Sequence, residues 1–261
     1  MDLTVRIASL GDKLPSVISR QLRSDSRLTR AIRPLVNIML PNEPRIVTVI
    51  DGPAKGHKLM IFPREEKYYW TGLHEPHVQA AIAQYLRSGD SFWDIGAHIG
   101  FMSMIAAKSV GRSGEVHAFE PMTANRERLR RSIEANSYIN IEIHAEAIGV
   151  LDGEAVLHSH GASLMWSLQE KDQGSDGEIV PCLTLESVAM QLETIPTLIK
   201  IDTEGVELDV LKGGIGFLRE HHPIIIVEFT DEERLEAARH LLTDYAFSSL
   251  AANHWLLTPS S

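Results

Sequence analysis

The chain has 261 residues, 44% of them hydrophobic, enough to bury the core of one large α/β domain with extensions. Its 35 acidic and 25 basic residues give a formal net charge of -10, which argues against nucleic acid or another polyanion as partner. The single cysteine, Cys182, excludes an internal disulfide framework; no apolar stretch approaches the roughly 18 residues of a membrane span, the first 20 residues lack an apolar leader region, and a cytoplasmic protein is expected.

Residues up to Pro44 read as a helical extension broken by Pro15, Pro34, Pro41 and Pro44. Arg20, Arg23, Arg27, Arg30 and Arg33 recur there at near-helical spacing; a solvated helix face is the preferred reading, a basic docking face the sharper alternative. Ile46–Ile50 and Lys58–Phe62 flank the turn-rich D-G-P-A-K-G and predict a small hairpin. Residues 1–75 are thus set apart as an extension from a catalytic domain of residues 76–261. That domain begins with a helix over Pro76–Leu86, with Val78, Ala81, Ile82 and Tyr85 on one face.

The segment S-F-W-D-I-G-A-H-I-G, Ser91–Gly100, carries the strongest signal. Phe92, Trp93 and Ile95 predict a buried strand with Asp94 at its carboxyl end, and Phe101, Met102, Ile105 and Ala106 begin a helix. Glycines between them let backbone approach a ligand closely. A dinucleotide fingerprint needs G-x-G-x-x-G, yet counting from Gly96 the second and third glycine positions are His98 and Phe101. An acid two residues before the first glycine suits instead a ligand with a cationic amine, as in S-adenosylmethionine.

Beyond this turn strands and helices alternate. Glu115–Phe119 predicts a strand, Thr123–Ala135 a helix, Ile139–Ile148 a third strand, Glu154–His158 a short extra strand, and Gly161–Gly177 a surface loop. Leu183–Leu192 predicts a helix, Thr197–Ile201 a strand ending in D-T-E-G, then a helix with a break at Gly213-Gly214. Pro223–Phe229 is a continuous β-branched strand, Asp231–Tyr245 a helix, and Phe247–Leu250 with Trp255–Leu257 a closing hairpin. Such alternation implies a doubly wound, mostly parallel sheet covered on both faces, with the last strand antiparallel.

In a sheet of this kind ligands bind beyond the carboxyl ends of the strands, where strand order reverses. Asp94, Glu120, Asp202 and Glu228 each end an apolar run there. Glu120 suits a carboxylate accepting both ribose hydroxyls, and Met122, just beyond Pro121, can lie against an adenine. Each acid taken singly is equally an N-cap or loop residue.

These stretches resemble a known signature. D-I-G-A-H-I-G at Asp94–Gly100, A-F-E-P at Ala118–Pro121, I-K-I-D-T-E-G-V-E-L at Ile199–Leu208, V-L-K-G-G at Val210–Gly214 and V-E-F at Val227–Phe229 are similar to the motifs of FkbM-type methyltransferases, over roughly residues 56 to 230. The K-I-D-x-E-G part is the most specific. G-L-H-E-P at Gly72–Pro76 resembles an upstream family stretch with His74 in place of an aromatic, and His98 stands where asparagine is frequent. The resemblance implies a Rossmann-like class I fold with a seven-stranded sheet, S-adenosylmethionine as cofactor, and methyl transfer to a hydroxyl of a sugar, lipid or polyketide-like small molecule. The cofactor-binding positions expected are Glu75, Asp94, Gly96, Ala97, His98, Gly100, Glu120, Pro121, Met122, Ala147 and Asp202.

Methyl transfer from sulfonium is an in-line displacement that needs positioning and a base. Asp202 is the first choice of base, and Glu204 and Glu228 can join it; the same carboxylates could alternatively hold Mg²⁺. Lys200 is expected to point to the face opposite Asp202, in a structural ion pair. Glu75 can reach the methionine amine or serve as an N-cap, His158 and His160 share a face if their strand continues, and His221-His222 read as capping residues. The acceptor pocket is expected from the N-terminal extension, the loop Gly161–Gly177 and the ends of the fourth and fifth core strands, with Tyr68, Tyr69, Trp70 and Trp166 as apolar surface. The N-terminal helices can pack on a second copy, giving a homo-oligomer, or fold over their own site. Two readings compete with a methyltransferase: a nicotinamide-dependent oxidoreductase, opposed by the missing fingerprint, and a non-catalytic subunit, opposed by the intact acids.

Overall fold

A computed structural model describes residues 41–160, 163–166 and 177–260. The basic arginine series and the prolines up to Pro34 lie outside the described residues, as do the side chains of His158, His160 and Trp166.

Arg45–Thr48 (β1) and Lys58–Ile61 (β2) pair as the expected antiparallel hairpin. A short helix, Lys67–Trp70 (α1), precedes Pro76–Tyr85 (α2), which leads into Ser91–Ile95 (β3). Phe101–Val110 (α3), Glu115–Phe119 (β4), Thr123–Asn136 (α4) and Ile141–His144 (β5) follow. Next come Ala147–Ile148 (β6), Gly153–His160 (β7), Ser163–Trp166 (β8) and Gly177–Leu183 (β9). Leu185–Leu192 (α5), Leu198–Ile201 (β10), Glu207–Lys212 (α6), Ile215–His221 (α7) and Ile224–Glu228 (β11) restore the alternation. Glu232–Leu241 (α8), Tyr245–Ala251 (β12) and His254–Pro259 (β13) complete it.

The central sheet has seven strands in the order β12-β13-β11-β10-β3-β4-β5. The pairs β3–β4, β4–β5, β3–β10 and β10–β11 are parallel, and β13 runs antiparallel to β11. Strand order reverses between β3 and β10, so a crevice opens at their carboxyl ends. Every residue of β3 and β10 is buried, as required of strands covered on both faces. On one face Phe92 and Leu198 join α2, α3 and the hairpin in one core; on the other Trp93, Ile199 and Ile225 join α5 to α8. Trp93 stacks on Phe217 with centroids 5.5 Å apart and rings 3° from parallel. The hairpin is tied to α4 by Met60 N–H donating to Ser132 Oγ at 2.9 Å and Lys58 N–H to Asn136 Oδ1 at 2.8 Å.

Three expectations are corrected. The single strand over Ile139–Ile148 divides: β5 stays at the edge of the central sheet, while β6 leaves it to pair with β9, Ala147 opposite Cys182. The segment read as a loop contains β8, and β9 begins at Gly177, so that β6-β9-β7-β8 form a second, four-stranded sheet. Residues 161–162 and 167–176 of that segment lie outside the described residues. The signal for β9 was present but masked by Pro181: Val180 and Cys182 are buried while Ile179 and Pro181 are exposed, a period of two. The helix expected to Tyr245 ends at Leu241, and Tyr245 opens β12. Among the described residues no helix is long and apolar enough to cross a membrane.

Candidate active site at the strand ends

The turn after β3 is held by the protein itself. Gly96 and Gly100 have φ of 80° and 79°, favourable for glycine alone. A Cβ on Gly96 would lie 1.9 Å from the Asp202 carbonyl oxygen, and one on Gly100 2.0 Å from Leu129 Cδ1. These glycines therefore admit neighbouring chain, fixing the turn to β10 and α4. The N–H groups of Gly96 and Ala97 both donate to the Phe119 carbonyl at 3.0 Å, which locks the turn to β4.

Glu120, just beyond β4, is buried with its carboxylate oriented by three donors. His98 N–H donates to Oε2 at 2.8 Å, Met122 N–H to Oε1 at 2.9 Å and Asn125 Nδ2 to Oε1 at 3.3 Å. Burial pushes its pKa up to about 6, against the pull of those bonds. Its remaining lone pairs suit a vicinal diol. The Pro121 carbonyl accepts from Arg126, and Met122 packs on an apolar cluster that includes Ala147. His98 has φ 52° and its Nδ1 lies 2.9 Å from Tyr69 Oη; burial, helped by Arg128, lowers its pKa to about 4, so the ring is neutral.

Asp94 is fully buried. Ser103 Oγ donates to its Oδ2 at 2.5 Å, and its Oδ1, which accepts no hydrogen bond, faces Lys200 Nζ at 3.6 Å. Lys200 also donates to Asp202 Oδ2 at 3.0 Å. This overturns the expectation that Lys200 and Asp202 point apart: a period of two returns residues two apart to the same face. Parallel register sets Lys200 directly beside Asp94. Burial disfavours the ammonium, but Asp202, Asp94 and Glu75 outweigh it and hold its pKa above the ordinary value.

Further acids gather around Asp202. Glu75 occupies the N-cap of α2 with φ 42° but makes no side-chain cap; it turns toward His254 and His74, each 3.6 Å away. Burial works against its charge, yet His254, His74 and Lys200 hold its pKa down at about 2. Glu228 ends β11 directly opposite His254 on β13. Burial, then the Asp202 charge, push Glu228 up to about 7. His254 feels burial in the opposite sense, but Glu75, Glu228 and Asp202 raise it. Glu204, at φ 56° in the turn after β10, is exposed over much of its surface; the desolvation of its covered part, then the Asp202 charge, push its pKa up. That turn is pinned by Glu207, whose Oε1 accepts from Thr203 N–H at 3.1 Å and Gly205 N–H at 2.7 Å.

Asp202, Glu204 and Glu228 do not form a metal-holding group. Among the described residues the three-ligand group whose donor atoms lie within 4.8 Å of one another is His117, Glu142 and His144, on another part of the sheet. At Asp202 the cation beside the carboxylate is Lys200. His254, His74, Asn125 and Glu207 carry no role in the sequence alone, although His74 and Glu207 lie within the stretches Gly72–Pro76 and Ile199–Leu208. The usable signal for His254 was its place directly before the closing strand expected at Trp255–Leu257. His222 caps α7 as read, and also meets Asp244 at 3.0 Å.

The family described as the methyltransferase FkbM domain matches residues 94–249. Among solved structures, a methyltransferase FkbM from Methylobacillus flagellatus KT is 18% identical with a TM-score of 0.47, over 74% of this chain and 55% of that one. The chain thus spans little more than half the length of that relative. The putative methyltransferase yhhF from Escherichia coli is 12% identical with a TM-score of 0.46, over 83% of this chain and 99% of that one. A precorrin-6y C5,15-methyltransferase from Geobacter metallireducens GS-15 is 14% identical with a TM-score of 0.44, over 71% and 89%. No curated protein matches the chain significantly.

Proposed function

The chain belongs to the FkbM family of S-adenosylmethionine-dependent methyltransferases, and from that premise we propose that it methylates a hydroxyl oxygen of a small molecule, of the sugar, lipid or polyketide-like kind. The observation that carries this reading is the position of Glu228, which ends β11 opposite His254 and next to β10, the strand that leads into Asp202; burial and the Asp202 charge push its pKa up, to about 7. A hydroxyl acceptor must lose its proton as the new bond forms, and a base is most effective when its pKa lies near the working pH.

The donor set fits the cofactor by its chemistry. Glu120 would accept the ribose hydroxyls, with Pro121, Met122 and Ala147 as the apolar surface beside it. Asp202 and Glu75 offer carboxylates to a cationic amine, and the turn Gly96–Gly100 supplies the wall between them. S-adenosylmethionine, when bound, supplies an electrophilic methyl group on a sulfonium sulfur. Asp94 acts from beneath, through Lys200, to orient Asp202. The base role goes to Glu228, because Lys200 already engages Asp202; Glu204 stands at the exposed rim. Asp202 is the largest charge that Glu228 feels, with His254 and Glu75 acting on it in opposite senses.

Formation of S-adenosylhomocysteine with a panel of hydroxylated acceptors tests the reading. Transfer to an acceptor oxygen, lost in Glu228→Gln at unchanged cofactor affinity, is the expected result; full turnover of that variant, or methyl found only on nitrogen or carbon, overturns it.

A further inference from the structure

A second cluster lies away from the crevice, on the face of the sheet shared by β4 and β5. Parallel register places His117 beside Glu142 and Phe119 beside His144. Glu115, His117 and Phe119 are two apart along β4, as Glu142 and His144 are along β5, so all five project from one face. His117 Nδ1 lies 3.0 Å from His144 Nε2 and 3.7 Å from Glu142 Oε2. Two donors bound about 2.1 Å from a tetrahedral ion are about 3.4 Å apart, and the observed separations bracket that spacing. We propose that His117 Nδ1, His144 Nε2 and the Glu142 carboxylate form a zinc site, with the fourth position open to water.

Two further features belong to such a site and not to a chance pair of rings. His117 Nε2 is buried without a hydrogen-bond partner, and Glu115 Oε2 lies 3.7 Å from it. A ring that ligates through one nitrogen ordinarily donates its other N–H to a carboxylate, which fixes the tautomer and strengthens the ligand. Glu115 stands where that partner belongs. The rings are also pre-set: His144 stacks on Phe119 with centroids 4.6 Å apart, and Trp93 meets His117 edge-on at 6.5 Å.

The hydrogen bond between the two rings requires one of the facing nitrogens to carry a proton. Metal binding then requires that ring to change tautomer: the facing nitrogen gives up its proton to solvent and the other nitrogen takes one up, toward Glu115 in the case of His117, so that the ring stays neutral. Two imidazoles and one carboxylate without thiolate match zinc; magnesium prefers an all-oxygen shell. The site would clip edge strand β5 to β4, immediately behind Glu120, whose N–H donates to the His144 carbonyl at 3.1 Å.

Calorimetric titration of the full chain with Zn²⁺ and Mg²⁺, alongside thermal melting, tests this without any activity readout. One saturable zinc per chain is expected, with a raised Tm and no comparable magnesium effect. Glu142→Gln and Glu115→Gln alter partly exposed side chains and should leave the metal-free Tm near that of the parent. Each should weaken zinc binding, the outer-shell Glu115→Gln by about 10- to 100-fold, and His144→Ala should abolish it. Absence of saturable zinc binding, or binding unchanged in Glu142→Gln and Glu115→Gln, overturns the proposal.

Discussion

The Lys200 ammonium sits 3.0 Å from the Asp202 carboxylate and, on its other side, 3.6 Å from buried Asp94. One cation thus joins the end of β3 to the end of β10 at the point where strand order reverses. Removing it leaves Asp94 as an uncompensated buried charge. Lys200→Met should lower stability by about 3–5 kcal/mol, the usual cost of breaking a buried pair. Lys200→Met/Asp94→Asn should recover much of that loss. Urea unfolding of the single and double variants checks it; a single-variant loss within the error of the fit would contradict the pairing.

Glu120 gives a prediction in pH. Its folded value of about 6 lies above the ordinary 4.5, so between these values the native state holds more protons than the unfolded chain. Cofactor-free stability should therefore fall as pH rises from about 4.5 to about 6, by about 2 kcal/mol in all. Glu120→Gln should flatten that slope and weaken S-adenosylmethionine binding. Denaturant melts across this range, with calorimetry for the cofactor, read both effects; an unchanged slope in the variant would count against the burial argument.

For Glu228 the expected profile concerns rate. If its carboxylate accepts the acceptor proton, kcat should rise with pH through about 7 and level off above it, since the base works only when ionised. Glu228→Gln should lose about 10²- to 10⁴-fold in kcat and show no such rise. A pH–rate profile of the parent with no inflection near neutrality would remove Glu228 from the role.

Gly96 is the most sensitive backbone position in the site. An added Cβ would meet the Asp202 carbonyl oxygen at 1.9 Å, and the φ of 80° is unfavourable for any other residue. Gly96→Ala should shift the Asp202 backbone, cost more than about 1 kcal/mol through strain alone, and reduce cofactor affinity. A variant with parental melting temperature and affinity would show that the turn relaxes freely. Gly56 is the internal control: its φ is 91° but nothing lies within 4 Å of its added Cβ, so Gly56→Ala should carry the strain without the collision.

Much was legible in the sequence because it depends on neighbours along the chain. The buried runs of β3, β10 and β11, the acid closing each, the glycine turn and the break at Gly213-Gly214 are consecutive residues whose chemistry states their own local structure. The same locality carries the family motifs, from Asp94–Gly100 to Val227–Phe229. What the tertiary structure alone decided is which distant residues meet. Hydrogen-bond register sets Lys200 beside Asp94, Glu228 opposite His254 and His117 beside Glu142, and a shift of one residue would turn each side chain to the other face. The second sheet has the same origin, since Ala147-Ile148 leaves the central sheet for a partner, Cys182-Leu183, far along the chain. Sequence spacing determines the face a residue occupies within its own strand; only the pairing of strands determines what stands across from it, here Lys200 beside Asp94 and His254 opposite Glu228.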